Sequence, residues 1–434
     1  MPHHDSVFHS MLKHVAWEEL EQAVERHGAA DCARNFSFRS QLIAMLYAQF
    51  SGAQFSGASS LREIEAGLQS HAARLYHLGI RPARRSSLAD ANCRRPVAVF
   101  SDLLAVMIQR AQRRLRRVMD GATYLIDSTS LVLNERSAGW ARFSAAACGA
   151  KLHVVYDASA EHPVYAAVSA ALVNDITAAR AMPVEAGATY VFDLGYYDYA
   201  WWATLDAAGC RLVTRLKRNT PLSVTETRPV TGDAILSDRV GHLPARQASH
   251  RCNPLAAPVR EVQVRLDTGR MLRLVTNDLA APAQAIADLY KRRWAVELFF
   301  RWVKQTLRIT RFLGTSENAV RIQVAVALIA FLLLRLAQAT QTAISSPLTF
   351  ARLVRANLMH LRCLRSHPTE PRACPVKVCS SDANTAMQKS CRTPVGQARP
   401  STRTPTLSGK AASTSPRVRP GQMERCPRPG SALL

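Results

Sequence analysis

Hydrophobic positions recur at two spacings along this chain of 434 residues, and the change of spacing divides it. Up to about Arg117 apolar residues return every three to four positions, the period of amphipathic helices. Trp17 to Arg26 reads as one such helix, and Gln41 to Phe50 as a more apolar one ending at Ser51-Gly52. From Thr123 the period shortens. Thr123 to Thr129 predicts a short apolar strand that delivers Asp127 at its end. Lys151 to Asp157 alternates as a second strand and Pro163 to Ala171 as a third. Ala188 to Asp193 is a fourth, again ending in an acid, and Arg211 to Lys217 a fifth. Helices are expected at Asn174 to Ala181 and through Trp201 and Trp202.

Three strands, a helix, a strand, a helix and a strand is the order of an α/β, ribonuclease-H-like mixed sheet flanked by helices. In that order the strands of Asp127 and Asp193 lie side by side and bring both acids to one sheet end. Residues 219–282 read as short strands and turns, with a β-hairpin at Val262–Leu266 and Met271–Val275. Helices follow at Tyr290–Lys304, Ile322–Ala339 and, more weakly, Leu348–Arg362. The expected organisation is a helical DNA-binding region over 1–118 and a catalytic core over 119–218 and 283–345. A β-rich insertion covers 219–282, a C-terminal helix 346–366 and a basic tail 367–434.

Tyr290 to Lys304 (YKRRWAVELFFRWVK) holds no Gly or Pro and predicts one amphipathic helix. At about 100° per residue, Tyr290, Arg293, Glu297, Arg301 and Lys304 share an arc of roughly 80°. Ala295, Val296, Leu298, Phe299, Trp302 and Val303 face the other way, towards a core. One carboxylate among cations and a phenol is, taken alone, most simply a solvated face with spaced ion pairs.

Local signals refine the helical half. Phe50 to Ser59 is a tandem FSGAQ–FSGAS repeat, expected as an extended loop. Ser60 and Glu63 fit a capping box. The helices around that loop suit either a helix-turn-helix or ordinary bundle packing, the latter slightly favoured. Arg81 to Arg95 carries five arginines and a second Ser cap at Ser87, and Arg110 to Arg117 is a further basic run. Both suit phosphate contacts.

Composition agrees. The formal charge is +24, which draws polyanions, so nucleic acid leads the partners and a membrane surface comes second. The membrane loses ground because the best apolar run, Val320 to Thr342, carries Arg321 and Arg335 and reads as a buried helix. The start MPHHDSVFHS shows no secretory signal pattern, so a cytoplasmic, nucleoid-associated protein with ten free cysteine thiols is expected. Beyond about His367 the composition changes: there is no aromatic residue after Phe350, and Pro, Ser and positive charge accumulate. That tail is expected to be disordered, and the abrupt change suggests a reading-frame shift that replaced the native end.

Phosphodiester cleavage needs carboxylates converging on divalent cations that stabilise the attacking and leaving oxygens. Asp127, Asp193 and Glu297 can supply them, although a strand-terminal Asp is as often a turn or helix cap. At these residues the chain resembles DDE transposases of bacterial insertion sequences, insertion-sequence-four type. That family's signature Y-x-x-R-x-x-x-E-x-x-x-x-x-x-K is met by Tyr290, Arg293, Glu297 and Lys304. Tyr-Leu-Ile-Asp127-Ser-Thr and Asp193-Leu-Gly-Tyr-Tyr-Asp198 look like the segments that carry its first two acids.

The resemblance implies two Mg2+ ions (Mn2+ an alternative) on Asp127, Asp193 and Glu297. It also implies double-stranded DNA with terminal inverted repeats, target DNA, and a homodimer in the synaptic complex. Tyr290, Arg293, Arg301 and Lys304 become phosphate contacts, and Trp294, or Trp201 and Trp202, candidates to stack on a base flipped during hairpin formation. One departure is visible: relatives commonly carry a basic residue directly after the second acid, where this chain has Leu194. The alternatives are a structure-specific nuclease on the same fold and an inactive, DNA-binding copy.

Overall fold

The computed structural model describes residues 5–28, 36–51, 60–115, 121–145, 147–230, 233–248, 251–266, 268–307, 309 and 311–360. The repeat beyond Ser51, Arg116 and Arg117, and the basic tail with its cysteines and suggested frame change lie outside the described residues.

The helices before the sheet are α1 (Val7–Leu12), α2 (Trp17–Arg26), α3 (Phe38–Ser51), α4 (Leu61–Ser70), α5 (Ala72–Leu75), α6 (Arg85–Arg94) and α7 (Val97–Leu115). The Ser60 hydroxyl accepts the Glu63 backbone N–H and starts α4, as its capping sequence predicts. Ser87 does not cap a helix. Arg84 is the last extended residue, so α6 begins three residues earlier than expected and Ser87 is already helical. This entry lets Ala83 and Leu88 both reach the core. Nearly every side chain of α3 is buried, which fits bundle packing of the α3–α4 pair.

The sheet begins with β1 (Thr123–Leu133). The short α8 (Ala138–Ala141) and β2 (Arg142–Ser144) precede β3 (Ala147–Asp157) and β4 (His162–Ala170). Next come α9 (Asp175–Arg180), β5 (Thr189–Val191), α10 (Tyr199–Ala207) and β6 (Arg211–Arg215). β3 pairs antiparallel with β1 and β4, while β1, β5 and β6 run parallel. The neighbour order β4-β3-β1-β5-β6 is the ribonuclease-H-like order that the strand and helix sequence predicts.

Asp127 is not at the end of its strand, as the pattern suggested. Pairing with β3 from Tyr124↔Asp157 to Leu133↔Cys148 keeps β1 extended well past it. On the other side β5 stops at Val191, opposite Leu125, so Asp127 lies two residues beyond the β1–β5 pairing instead.

The stretch 219–282 extends this sheet. After β7 (Ser223–Arg228) and β8 (Ile235–His242) come the small pair β9 (Arg246–Ala248) and β10 (Arg251–Cys252), then the hairpin β11 (Val259–Arg265) and β12 (Met271–Thr276). β12 pairs with β6, and β11, β8 and β7 follow outward, so among the described residues ten strands form one sheet.

Charges are paired inside this outer half. Arg260 and Asp238, only 3% and 4% exposed, meet through two hydrogen bonds of 2.8 and 2.6 Å. The fully buried Glu261 accepts bonds from Arg239 and Arg273. Burial pushes its carboxyl up, but the hydrogen bonds from Arg273 and Gln263 and the two guanidinium charges outweigh it and hold the carboxyl below its ordinary range.

The chain closes with α11 (Ala283–Arg292), α12 (Trp294–Thr306), α13 (Glu317–Gln338) and α14 (Pro347–Ala356). α14 ends at Ala356, short of the expected Arg362. By length and composition α13 could cross a membrane, but 89% of its most apolar stretch is buried within the protein, as its two arginines suggested. It packs against α1, α3, α6, α7, α12, α14 and β4. One apolar core therefore runs from Leu42 and Leu103 through Leu328 to Leu125, Val154 and Phe299, joining the N-terminal helices to the sheet.

The buried Arg260–Asp238 pair gives a test. Asp238→Ala leaves the guanidinium without its partner and is expected to cost about 3–5 kcal/mol. Urea unfolding of the variant against the parent measures it.

Candidate active site

The β1–β5 register sets the site. Thr123 faces Thr189 and Leu125 faces Val191, so two residues further on Asp127 and Asp193 stand level. Alternation along β1 turns Asp127 towards α12 and Ser128 to the opposite face. Asp193 follows β5 and caps a short 3-10 turn, Leu194–Tyr196, its Oδ1 accepting the Gly195 N–H at 2.8 Å. The cap role that competed with the functional one is thus real for Asp193, and it leaves Oδ2 outside that bond.

The third acid arrives differently from the expected uninterrupted helix. α11 and α12 are separate helices that meet at Arg293, around which i→i+3 bonds replace the α-helical pattern (Arg293 N–H to Tyr290 O, 3.1 Å; Val296 N–H to Arg293 O, 3.2 Å). This tightening needs neither Gly nor Pro. Val296, Phe299 and Val303 are buried as expected, whereas Leu298 is 46% exposed. Phe300 is buried in its place, because the apolar face turns with the break.

Arg293 is the joint of the site. Its guanidinium bonds Asp127 Oδ2 at 3.2 Å and also donates to Glu297 Oε1. Its charge lies 5.9 Å from the centre of the Tyr290 ring. Burial pushes the Asp127 carboxyl up to about 6; Asp193 and Glu297 add to this, while the Ser128 N–H and Arg293 oppose it. Burial likewise raises the Tyr290 phenol, which feels Arg215, Arg293 and Asp193. Tyr290, Arg293, Glu297, Asp127 and Asp193 are therefore one electrostatic cluster.

The remaining predicted contacts lie further along α12. Trp294 is 50% exposed, with the Arg301 guanidinium 5.8 Å from its ring centre. Lys304 is half-buried, and its ammonium is pushed below the ordinary lysine range by burial. Trp201 and Trp202 cannot stack on a base. Both are buried with Phe192 against them at 4.9 and 6.3 Å, and the Trp202 indole donates to Tyr196 O.

Two further members escaped the sequence reading. Arg215 ends β6 beside Thr214, whose hydroxyl bonds Asp193 O at 3.4 Å, and Arg215 Nε is buried without a partner among the described residues. The Tyr196 hydroxyl is buried in the field of Asp175, Asp127 and Asp193. The available signals were a basic residue at the end of a parallel strand and a tyrosine three residues after an acid. Neither is specific without the sheet order.

Comparisons with known proteins decide the family. The Transposase DDE domain matches residues 120–333, and a domain of unknown function, DUF4372, matches residues 3–81. A Sinorhizobium fredii protein named as a transposase, y4zB, is 40% identical over 282 residues, covering 64% of this chain and 76% of that protein. The chain belongs to the DDE transposases of bacterial insertion sequences. A Geobacillus stearothermophilus protein named as the transposase of insertion sequence element IS5377 is 29% identical over 77% of this chain and 85% of its own length. A solved piggyBac transposase synaptic complex with hairpin DNA aligns over 82% of this chain and 80% of its own, at 10% identity and a TM-score of 0.46.

Transposases of this family act on DNA with divalent metal ions. Among the described residues no three His, Cys, Asp or Glu side chains converge closely enough to hold an ion, since Arg293 lies between Asp127 and Glu297. The donor chemistry nevertheless fits a hard cation: three carboxylates share one partly buried field, and Asp127 is disfavoured as an anion there.

That strain has a measurable consequence. The folded transposase holds the Asp127 proton up to about pH 6, above its ordinary value of 3.8. The associated stability is complete below about pH 4 and lost as pH rises through 6. In chelator, Asp127→Asn is therefore expected to be more stable than the parent at pH 7 by about 1–2 kcal/mol. The gap should close towards pH 4, as thermal melts at both values would show.

Proposed function

We propose that Asp127, Asp193 and Glu297 hold two Mg2+ ions, with Mn2+ as an alternative, and that this transposase uses them to cut element ends and join them to target DNA. The observation that carries the reading is the Arg293 guanidinium shared by Asp127 and Glu297, with Asp193 level with Asp127. The ions would stabilise the attacking and leaving oxygens of an in-line displacement. In the first displacement the oxygen of water bonds to phosphorus as the P–O3′ bond breaks and the 3′-hydroxyl departs. In the second the oxygen of that hydroxyl bonds to a phosphorus of the other strand, giving a hairpin, or of target DNA, as the attacked phosphodiester's own P–O3′ bond breaks and its 3′-oxygen leaves as a hydroxyl.

The chain's own groups orient these steps. Arg293 offers a planar set of N–H donors at the boundary between the carboxylates and Tyr290, where a phosphate flanking the scissile bond would lie. The charge of Arg215 acts on the same phenol, and with Leu194 directly after Asp193 it is the cation at this sheet end best suited to replace the missing phosphate contact. Exposed Arg301 and half-buried Lys304 extend the track along α12. Trp294 presents half its surface beside Arg301 and is the aromatic residue suited to receive a flipped base. Paired inverted-repeat ends call for a homodimer on the nucleoid.

Incubation with Mg2+ and a fragment bearing the element's terminal repeat tests this. Cleavage at the terminus should fall on the order of 10³-fold or more in Glu297→Gln. Unchanged cleavage in Asp127→Asn or Asp193→Asn would refute the metal assignment. Sequence-independent cutting of branched DNA would favour a structure-specific nuclease, and tight binding without cutting an inactive copy. Arg301→Ala should weaken end binding and reduce the slope of log affinity against log salt by about one.

A further inference from the structure

A fourth carboxylate stands on the far face of the sheet, directly behind the site. Asp175 opens α9, and its Oδ1 accepts a 2.8 Å hydrogen bond from the Ser128 hydroxyl and a 3.2 Å bond from Lys151 Nζ. Ser128 is the residue after Asp127, so strand alternation sends their side chains to opposite faces of one stretch of backbone. Ser128 pairs across the strands with His153 and Ser130 with Lys151, so β1 and β3 present these partners on Asp175's face. His153 is fully buried there, with Nδ1 3.8 Å from Asp175 and Nε2 2.8 Å from the Ser169 hydroxyl on β4. Lys151 also donates to Val173 O, just before α9, at 3.0 Å.

The other oxygen of Asp175 faces the second acid. A Cβ placed on Gly195 would meet Asp193 Oδ1 at 3.0 Å and Asp175 Oδ2 at 3.3 Å. Both carboxylates therefore border the same small space, open only because residue 195 has no side chain. α9 packs on this turn, and the buried Tyr196 hydroxyl next to it lies in the field of Asp175, Asp127 and Asp193.

We propose that Asp175 is a positioning residue of the transposase site: held by Lys151, it clamps β1 at Ser128 and braces the Gly195 turn, fixing the spacing of Asp127 and Asp193. This rests on the metal-site reading above. It follows from geometry: the β1–β5 pairing stops at Leu125↔Val191, two residues short of both acids, so beyond it Asp127 is held by β3 and Asp193 by β6, and Asp175 links the two segments directly. Lys151 makes the arrangement tolerable by countering a carboxylate that would otherwise repel its neighbours. A displacement of the ligand frame by a fraction of an ångström weakens cation binding before it disturbs the fold.

The experiment measures Mn2+ binding to the full chain by electron paramagnetic resonance, with no DNA present, together with thermal melting in chelator. Asp175→Ala should weaken Mn2+ binding on the order of 10-fold or more. Asp175→Asn, which keeps an acceptor for Ser128 but loses the charge that Lys151 needs, should fall between it and the parent. Gly195→Ala should weaken Mn2+ in the same way by crowding both carboxylates, and element-end binding in chelator should stay unchanged in all three. The metal concentration for half-maximal end cleavage should rise in parallel.

If Asp175→Ala fails to fold, Asp175→Asn and Ser128→Ala carry the test. Parental Mn2+ affinity in those variants, or a lower melting temperature with parental affinity, overturns the positioning role. If Asp127→Asn binds Mn2+ as well as the parent does, the metal-site reading itself fails, and the Asp175 proposal with it.

Discussion

Everything at the catalytic end depends on the parallel pairing of β1 with β5. The two strands share backbone bonds over only three residue pairs, Thr123↔Thr189 to Leu125↔Val191, yet that register sets Asp127 level with Asp193. A slip of one residue would turn each side chain to the opposite face and separate the acids. The register is held by side chains on both faces. Leu125 and Val191 belong to the core under α12 and α13, while Tyr124, Ile126, Tyr190 and Phe192 belong to the core under α9 and α10.

The third acid depends on a second packing relation. α12 lies against β1 with Val296, Phe299 and Val303 buried, the Phe299 ring 5.1 Å from Tyr156 of β3 and edge-on to Phe331 of α13 at 5.1 Å. This contact chain ties Glu297 to the sheet and to the long buried helix that also anchors the N-terminal bundle. The helical region and the catalytic sheet therefore share one core, and α13 couples them mechanically.

Much of this was legible in the residues. Alternation in Lys151–Asp157 and Ala188–Asp193 marked true strands because each packs one face or both on a core, and the strand–helix order specified the sheet. The Tyr290, Arg293, Glu297 and Lys304 spacing survived the helix break, since Arg293 remains helical in φ and ψ (−51°, −29°) and so preserves the angular relation of its neighbours. Leu298 and Phe300 exchanged places because a small change of winding at the break moves a side chain by tens of degrees, which no periodicity count registers. Ser87 failed as a cap for the same kind of reason: a plausible cap residue cannot say where tertiary contacts begin the helix. Trp201 and Trp202 beside an acid looked available to a base, but the helix capped by Asp198 packs both among buried aromatic rings.

By itself, the sequence determined the class of chemistry and the family, because carboxylate identity, helical spacing and basic charge are properties of residues in order. It also determined the strand order, since hydrophobic period is a local consequence of which faces are buried. Only the tertiary structure decided which groups meet. Arg293 joins Asp127 to Glu297 across 166 residues in one case and four in the other. Asp175 reaches Ser128 across 47. Such contacts are created by sheet register and by helices docked on opposite faces, and chain order carries no measure of either.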